Sequence, residues 1–234
     1  MVGRGNDTID RLESAKAVGP QLIRLLRNRI VRGELAPGTR LSEAEIATAY
    51  CISRQPVREA FIRLADASLI EVRPQRGSYV SRILISAVVS AQFVREAVEA
   101  DIVRRVASLA TPADVAELEA TLATQAEAIN IEGPQPFIAA DEAFHRQLAE
   151  VAGQKDGWEF LQPLKTQMDR VRYLSARNFP RATLVRQHSE IVDAIRKGDA
   201  DEAEQRMRRH LRLILEDLPS VAAMFPDFFR QGAR

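Results

Sequence analysis

The stretch Ser53-Arg54-Gln55-Pro56-Val57-Arg58-Glu59-Ala60-Phe61 predicts a helix with one apolar face and one face that carries arginines. Ser53 is a favourable N-cap residue. The apolar residues recur at helical intervals, at Val57, Ala60, Phe61 and Leu64. Arg54 and Arg58 lie four residues apart on the opposite face, next to Gln55. Arginine can donate two parallel hydrogen bonds to guanine O6 and N7, so this helix is suited to reading bases in a DNA groove.

Bulk composition limits the classes of protein that the chain can belong to. Its 234 residues are 46% hydrophobic and 28% charged, which is enough for one or two domains with a sizeable core. No run approaches the ~20 apolar residues of a membrane span, so we expect no membrane contact. The single cysteine, Cys51, permits no internal disulfide, which favours a reducing cytoplasm as the location.

The charges are distributed unevenly along the chain. Residues 1–82 carry 14 basic and 9 acidic residues, whereas residues 83–234 carry 19 basic and 23 acidic residues. A small basic part joined to a larger acidic part predicts that the chain contacts nucleic acid from one end.

The segments around the arginine-bearing helix predict a winged helix–turn–helix domain over residues 15–82, after a flexible N-terminus at residues 1–14. We expect a first helix over about 16–32. A second, short helix begins at the capping-box pattern Ser42-Glu43-Ala44-Glu45 and ends at about Tyr50. Since the arginine-bearing helix follows after a tight turn, the two form a helix–turn–helix.

The spacing of apolar residues changes from a helical to an alternating pattern after this motif. Residues 70–73 and 78–81 alternate in polarity around a turn, which predicts a β-hairpin with Arg76 at its tip. A hairpin in this position is a wing, and Arg76 could reach phosphates or the minor groove.

The remainder of the chain shows helical patterns only, so the fold class is mainly α. We expect six helices that form an antiparallel bundle within residues 83–234. Their predicted bounds are about 86–110, 112–131, 135–152, 156–177, 181–197 and 199–218.

All three histidines fall on inward faces of different helices in this bundle. His145 follows Asp141 by four residues, so both side chains can reach one ion. With His188 and His210 they form a set of three imidazoles and one carboxylate, which suits Zn²⁺ or a similar divalent transition metal. The alternatives are that the histidines only fill the core, or that a hydrolase uses the same ligands.

Arg95 also lies on the inward face of its predicted helix, and an inward arginine needs an anion. The partner is either an internal carboxylate or a bound organic acid, and the pattern alone leaves both open.

Two parts of the chain each resemble a known domain. Residues ~15–82 resemble the winged helix–turn–helix of the GntR family of transcription regulators. The similarity rests on Arg32-Gly33-Glu34-Leu35-Ala36-Pro37-Gly38-Thr39-Arg40-Leu41-Ser42-Glu43, on Ser53 to Ala60, and on Arg76-Gly77-Ser78-Tyr79-Val80. Residues ~86–218 look like the helical FCD effector domain of the FadR-type subfamily. There the similarity rests on Arg95 with Glu99, Asp141-Glu142-Ala143-Phe144-His145, His188 with Ile191 and Ala194-Ile195 before Gly198-Asp199, and Met207 with His210-Leu211.

The resemblance implies roles for individual residues. It places Arg54, Gln55 and Arg58 on DNA and puts Arg76 with Gly77 at the wing tip. It assigns the metal to Asp141, His145, His188 and His210, beside a pocket for a small carboxylate, and it favours Arg95 as an effector ligand. We also expect Arg32 and Arg40 to hold phosphates, with Ser53 at the start of the reading helix.

The sequence departs from the family pattern at three positions. Ala44 stands where relatives often carry a longer polar side chain that touches DNA. Cys51 replaces a glycine in the turn before the reading helix, which costs about 1 kcal/mol if that position needs a positive φ. Gln154 follows Gly153 where asparagine is usual.

Taken together, these features predict a homodimeric, ligand-responsive repressor that binds double-stranded DNA at a palindromic operator. The helical domain, residues 83–234, is expected to dimerise and to bind both the metal and a small organic acid. Zn²⁺ and Ni²⁺ fit the ligand set best, and Mn²⁺ remains open. We expect no enzymatic activity. The alternatives are a metal-dependent enzyme with a DNA-binding appendage and a regulator whose helical domain is purely structural.

Overall fold

The computed structural model describes Leu12, Glu13 and residues 15–230. The predicted flexible N-terminus therefore lies, apart from these two residues, outside the described residues. The chain divides into two compact units, Met1–Arg82 and Ile83–Arg234.

The N-terminal unit consists of three helices and a small antiparallel sheet. Its elements are α1 (Val18–Val31), β1 (Arg40–Leu41), α2 (Glu43–Ala49), α3 (Arg54–Asp66), β2 (Ile70–Arg73) and β3 (Gly77–Val80). The sheet order is β1-β3-β2, with Arg40 opposite Tyr79 and Ile70 opposite Val80. The sequence did not predict β1, because two residues are too few to show alternation.

The core of this unit forms where α1 and α3 pack against each other. The predicted apolar face of α3 is fully buried, and it meets the apolar face of α1. The buried side chains at this contact are Leu22, Leu26, Ile30, Val57, Ala60, Phe61 and Leu64. Burial of one face leaves the arginine-bearing face of α3 in solvent.

The turn that joins α2 to α3 contains a strained residue. Cys51 has φ +54°, in the left-handed region that a side chain disfavours. The backbone N–H of Ile52 donates to Ala47 O at 2.9 Å and closes the turn. The positive φ expected from the family's glycine is therefore present in this chain, with a cost of about 1 kcal/mol.

The C-terminal unit is all helical. Its helices are α4 (Ile85–Leu109), α5 (Pro112–Glu127), α6 (Gln135–Val151), α7 (Lys155–Leu164), α8 (Thr166–Ser175), α9 (Arg181–Arg196) and α10 (Ala200–Met224). Short 3-10 turns follow α5 and α10, at Ala128–Asn130 and Pro226–Phe228. The described part of this unit thus has seven helices, where the sequence predicted six.

Two boundaries differ from the prediction for physical reasons. The helix expected at 156–177 is two helices, divided at Lys165, because Pro163 has no N–H and weakens the turn that contains it. The helix expected to end at 218 continues through Pro219 to Met224. Tertiary packing holds it, since Val221 is buried with Phe229, whose neighbour Phe228 accepts a hydrogen bond from the Ile83 N–H at 2.8 Å.

The main core of the C-terminal unit joins α4, α5, α6, α9 and α10. The side chains that are fully buried there are Val103, Val106, Leu118, Phe144, Ala149, Ile191, Ala203 and Met207. Because each histidine shares a helix face with these residues, the core brings the imidazoles together. Among the described residues, no helix is long and apolar enough to cross a membrane.

Candidate functional site

Three helices bring the predicted metal ligands to one point in the C-terminal unit. Asp141 and His145 lie one turn apart on α6, His188 lies on α9, and His210 lies on α10. All four side chains are buried. Each can offer one ligand atom such that the four atoms lie within 4.8 Å of one another.

The distances between these atoms suit a single small cation. His188 Nε2 lies 3.1 Å from His210 Nε2, which lies 3.3 Å from His145 Nε2. Asp141 has one carboxylate oxygen 3.8 Å from His145 Nε2 and the other 3.8 Å from His188 Nε2. Ligands at ordinary zinc distances are about 3.3–3.6 Å apart around a tetrahedral ion.

The outer nitrogen of each imidazole faces an acceptor, and this determines which nitrogen carries the proton. His188 Nδ1 lies 2.8 Å from Gln125 Oε1, and His210 Nδ1 lies 3.1 Å from Gln187 Oε1. His145 Nδ1 faces the Glu99 carboxylate at 2.6 Å. In the tautomer in which each ring carries its proton on Nδ1, the three inner Nε2 atoms present lone pairs to one another. Such a cluster is repulsive unless a cation accepts the lone pairs.

The electrostatics of the site also favour the neutral form of His188 and His210. Burial lowers the pKa of His188 to about 3. Burial, with the charges of neighbouring groups, places the pKa of His210 well below its usual value. A deprotonated imidazole is the form that binds a metal. The donor set therefore fits a divalent transition metal.

Asp141 is also part of a buried charge network. Burial by itself would raise the pKa of Asp141, but the positive charge of Arg172 lowers it. Arg172 also pairs with Glu142, which in turn contacts Lys165 Nζ at 2.6 Å. The network keeps Asp141 ionised and holds its carboxylate toward the histidines. Because Glu142 is occupied by two cations, it is not free to act as a general base.

Arg95 has the internal carboxylate partner that the sequence left open and keeps one donor unused. Its Nε donates to Glu99 Oε1 at 2.5 Å, so an internal carboxylate is one partner. Its Nη2 is buried and has no hydrogen-bond partner among the described residues. Burial alone would raise the pKa of Glu99, but Arg95 and His145 lower it to about 2.

A cavity of about 160 Å³ lies next to the histidine cluster. Arg95, Asp141, Arg172 and His210 line one part of it, and apolar side chains line much of the rest. An unpaired guanidinium donor beside a metal-capable cluster suits a negatively charged group. The cavity is close in size to one that holds benzene, so a small molecule would fill it.

The predicted base-reading residues lie on the exposed face of α3 in the N-terminal unit. Arg54, Gln55 and Arg58 are all exposed. Gln55 Nε2 donates to Glu59 Oε1 at 2.9 Å, and Arg58 Nη2 lies 3.4 Å from Glu43 Oε2. These exposed contacts are weak, so both side chains can exchange them for contacts to bases.

The wing has the geometry of a compact hairpin with charged residues at its tip. Arg76 is exposed, and its carbonyl oxygen accepts a hydrogen bond from Tyr79 Oη at 2.9 Å. Gly77 has φ +100°, and a Cβ at this position would lie 3.3 Å from Arg40 Nε. Glycine is therefore required both by the backbone conformation and by the approach of Arg40.

Two predicted contacts differ in detail from the expectation. Ser53 is the N-cap of α3 by position, but its side chain makes no capping hydrogen bond. An exposed, uncommitted hydroxyl is available to an external acceptor. Arg32 lies 3.8 Å from Glu34, so it is less free to hold a phosphate than the exposed Arg40.

Sequence reasoning missed several residues that support the metal cluster. Gln125 is fully buried beside His188, and its Nε2 donates to Asp141 Oδ1 at 3.2 Å. A glutamine that continues the apolar series Leu118, Leu122 was the available signal. Arg172 and Lys165 gave no such signal, because the partners that link them to the cluster, Asp141 and Glu142, lie on a different helix.

Comparison with known proteins identifies the family. Residues 92–213 match the FCD domain, and residues 20–80 match the bacterial regulatory proteins of the gntR family. The chain belongs to the GntR family of transcription regulators and carries an FCD domain, so it is a regulator and not an enzyme.

Two relatives align over most of the chain. The chain is 40% identical over 222 residues to the HTH-type transcriptional repressor RspR of Escherichia coli (strain K12), covering 94% of this chain and 97% of the relative. It is 39% identical over 210 residues to an uncharacterised HTH-type transcriptional regulator in an unstable DNA locus of Streptomyces ambofaciens, covering 89% of this chain and 88% of the relative.

Solved structures show the same fold. Escherichia coli McbR/YncC matches with a TM-score of 0.72 and 19% identity, over 90% of this chain and 99% of that one. A transcriptional regulator of the GntR type from Rhodococcus sp. RHA1 matches with a TM-score of 0.69 and 24% identity, over 86% of this chain and 98% of that one.

The lowered pKa of His188 and His210 predicts how the metal-free protein depends on pH. The folded state resists protonation of these rings, whereas the unfolded chain takes up protons near pH 6.5. Stability is therefore expected to be full above pH 6.5 and to fall as the pH drops toward 3, by up to ~1.4 kcal/mol per pH unit for each ring. Calorimetric melting of chelator-treated protein between pH 7.5 and 5 measures this dependence.

The variant His188→Gln provides the comparison, because it removes one titrating ring from the cluster. It should give a shallower dependence over the same range. A metal-free wild type whose stability is flat or rises as the pH falls would contradict a lowered pKa for His188 and His210 in the folded state.

Proposed function

We propose that this chain is a homodimeric repressor that binds an inverted-repeat operator and responds to a small carboxylate held beside a divalent transition metal. The ligands of the metal would be Asp141, His145, His188 and His210. The observation that carries the proposal is the meeting of three imidazole Nε2 lone pairs next to the unpaired Nη2 of Arg95.

A metal at this cluster would supply positive charge for a carboxylate oxygen. The protein's own side chains bind the carboxylate and orient the metal ligands. Arg95 Nη2 offers the carboxylate a hydrogen-bond donor, and Arg172 orients Asp141. The apolar walls of the cavity exclude water and strengthen both interactions. A bound acid alters DNA binding only to the extent that it prefers one of the two conformations of the dimer.

The DNA side of the proposal rests on α3. Its buried face anchors it to α1, while Arg54, Gln55 and Arg58 remain in solvent. The wing adds Arg76, and Arg40 lies at its base. One such helix reads only a half-site, so a two-fold dimer on an inverted repeat is the geometry that provides specific affinity. The Escherichia coli relative RspR is a transcriptional repressor, which supports repression as the outcome.

The dimer surface that we propose is the exposed face of the first half of α4. Over three turns this face has no charged residue, although 28% of the chain is charged. The exposed residues are Ile85, Ser86, Val89, Ser90, Phe93, Val94 and Ala97. Phe93 is 73% exposed. Monomeric proteins rarely expose contiguous apolar surface of this extent.

The neighbouring helix adds to this surface. On α7, which packs against α4, Phe160 is 77% and Leu164 is 54% exposed. Together with the α4 face they offer on the order of 600 Å² of apolar area, close to the ~800 Å² that each partner buries in a standard interface. The serines and Ala97 would let two copies of α4 approach closely.

The first test concerns base reading by α3. Arg58→Ala is expected to weaken binding to a specific operator by ~1–3 kcal/mol at fixed salt, because a bidentate contact to a base is lost. Operator fragments selected by the wild-type protein from random DNA provide the substrate, and fluorescence anisotropy provides the affinity.

Arg63→Ala is the matched control, since it removes the same charge from the exposed end of α3 remote from Ser53. It should change affinity little. Equal losses for the two variants would show that α3 contributes only general charge.

The second test concerns the metal and Arg95. Wild-type protein should carry about one Zn²⁺ or Ni²⁺ per chain by elemental analysis, and His188→Ala should lose it. Arg95→Lys keeps the charge beside Glu99 but lacks the free Nη2, so it should retain the metal. It should bind pentanoate about tenfold or more weakly by calorimetry, because a charge-assisted hydrogen bond is lost.

Pentanoate serves here as a simple carboxylate probe. If His188→Ala retains its metal, the ligand assignment is wrong. If Arg95→Lys binds pentanoate as the wild type does, Arg95 is not part of the effector site.

The third test concerns the dimer surface. Phe93→Glu should shift the protein from dimer to monomer in analytical ultracentrifugation, because it places a charge in the centre of an apolar interface. Leu109→Glu makes the same change at a 58% exposed position at the far end of α4 and should remain dimeric. A dimeric Phe93→Glu protein would move the interface elsewhere.

A further inference from the structure

The wall of the cavity remote from the metal cluster contains a second carboxylate. Asp217 lines the cavity and lies on α10, seven residues after His210. Seven residues are nearly two helical turns, so both side chains lie on the same face, about 10 Å apart along the axis. Helix α10 therefore contributes a polar side chain to each end of the cavity, His210 at one end and Asp217 at the other.

Asp217 differs from Asp141, the other carboxylate that lines the cavity. Asp141 is paired with Arg172, whereas Asp217 is paired with no cation among the described residues. Its single hydrogen bond comes from Ser175 Oγ to Oδ2 at 3.2 Å. Partial burial, together with the neighbouring charge of Glu216, raises the pKa of Asp217. The carboxylate therefore has acceptor capacity that the protein leaves unused.

The arginine at this end of the cavity is occupied elsewhere. Arg181 Nε donates to Ala176 O at 3.0 Å, and Arg181 Nη1 lies 3.3 Å from Ile131 O. Its guanidinium also lies over the ring of Phe137, 5.8 Å from the centroid. Arg181 thus holds main-chain segments together and does not neutralise Asp217.

The surfaces between the two ends are mainly apolar. The apolar residues that line the cavity include Phe137, Ile138, Phe179, Leu184 and Ile214. Such a wall suits a short carbon chain. A volume of about 160 Å³ holds roughly eight non-hydrogen atoms, as in a five-carbon acid.

We propose that the effector is a monocarboxylic acid with a hydrogen-bond donor, a hydroxyl or an ammonium group, at the end remote from its carboxylate. The carboxylate lies at Arg95 and the metal cluster, and the distal donor binds Asp217. This inference rests on the proposed function of the cavity as an effector site and adds the class of acid that it selects.

Asp217 would also exclude dicarboxylic acids. A second carboxylate at the distal end meets the like charge of Asp217 in a partly buried site, where Arg181 already uses its Nε and Nη1 in hydrogen bonds to main-chain carbonyls. An alkyl end is tolerated but leaves Asp217 Oδ1 without a donor. The order of affinity then follows from the distal group alone when the carbon chain is kept constant.

Four linear five-carbon acids test the proposal by calorimetry on the metal-loaded full chain. The probes are 5-aminopentanoate, 5-hydroxypentanoate, pentanoate and glutarate. The two acids with a distal donor should bind about three- to tenfold more tightly than pentanoate. Glutarate should bind at least tenfold more weakly than pentanoate. The ratio of the amino to the hydroxy acid shows which donor the site prefers.

A pair of variants isolates the role of Asp217. Asp217→Asn should bring glutarate to within about threefold of pentanoate and remove the advantage of 5-aminopentanoate. Glu216→Gln removes the same charge one residue earlier, at an exposed position, and should keep the wild-type order. Thermal melting of both variants checks that the fold is intact.

The outcomes separate this inference from the proposed function. If pentanoate binds in an Arg95-dependent way but glutarate binds as tightly as the acids with a distal donor, the effector site stands and the role of Asp217 is overturned. An unchanged order in Asp217→Asn overturns it as well. If none of the four acids binds, both the inference and the carboxylate site are contradicted.

Discussion

Three imidazole rings meet through their Nε2 atoms in the middle of the helical unit, at separations of 3.1 and 3.3 Å. Each outer Nδ1 faces an acceptor, so the lone pairs are directed at one point. Repulsion of this kind is costly in a buried site unless a cation is bound. The surrounding structure is arranged to maintain it, because Gln125, Gln187 and Glu99 each hold one ring in position. The burial that gathers these rings also lowers the pKa of His188 and of His210.

The same cluster explains the buried charges around it. Two cations, Arg172 and Lys165, meet three carboxylates, those of Asp141, Glu142 and Asp169. The network therefore has one more negative than positive charge before any metal is counted. Arg95 and Glu99 form a separate pair that leaves one guanidinium nitrogen unused. An excess of negative charge at the cluster and an unpaired donor in the cavity are complementary to a cation and to an anion, respectively.

The N-terminal unit depends on a comparable constraint in its backbone. The left-handed conformation of Cys51 ends α2 abruptly and directs α3 outward with its arginines in solvent. The strain of about 1 kcal/mol at this residue is small compared with the burial of the whole apolar face of α3. The wing uses glycine for a similar purpose, since Gly77 combines a positive φ with a close approach of Arg40.

Periodicity in the sequence was sufficient to predict α3, the wing and the inward orientation of all three histidines. These features are local, because a helix face is determined by spacings of three and four residues. Periodicity was not sufficient to predict the division into α7 and α8 at Lys165 or the continuation of α10 past Pro219, where packing overrides local preference. Nor could it predict the pairing of Arg172 with Asp141, of Gln125 with His188, or the presence of Arg95 and Asp217 in the lining of one cavity. Those relations join residues from different helices, and only the packing of α4, α5, α6, α8, α9 and α10 against one another determines which of them meet.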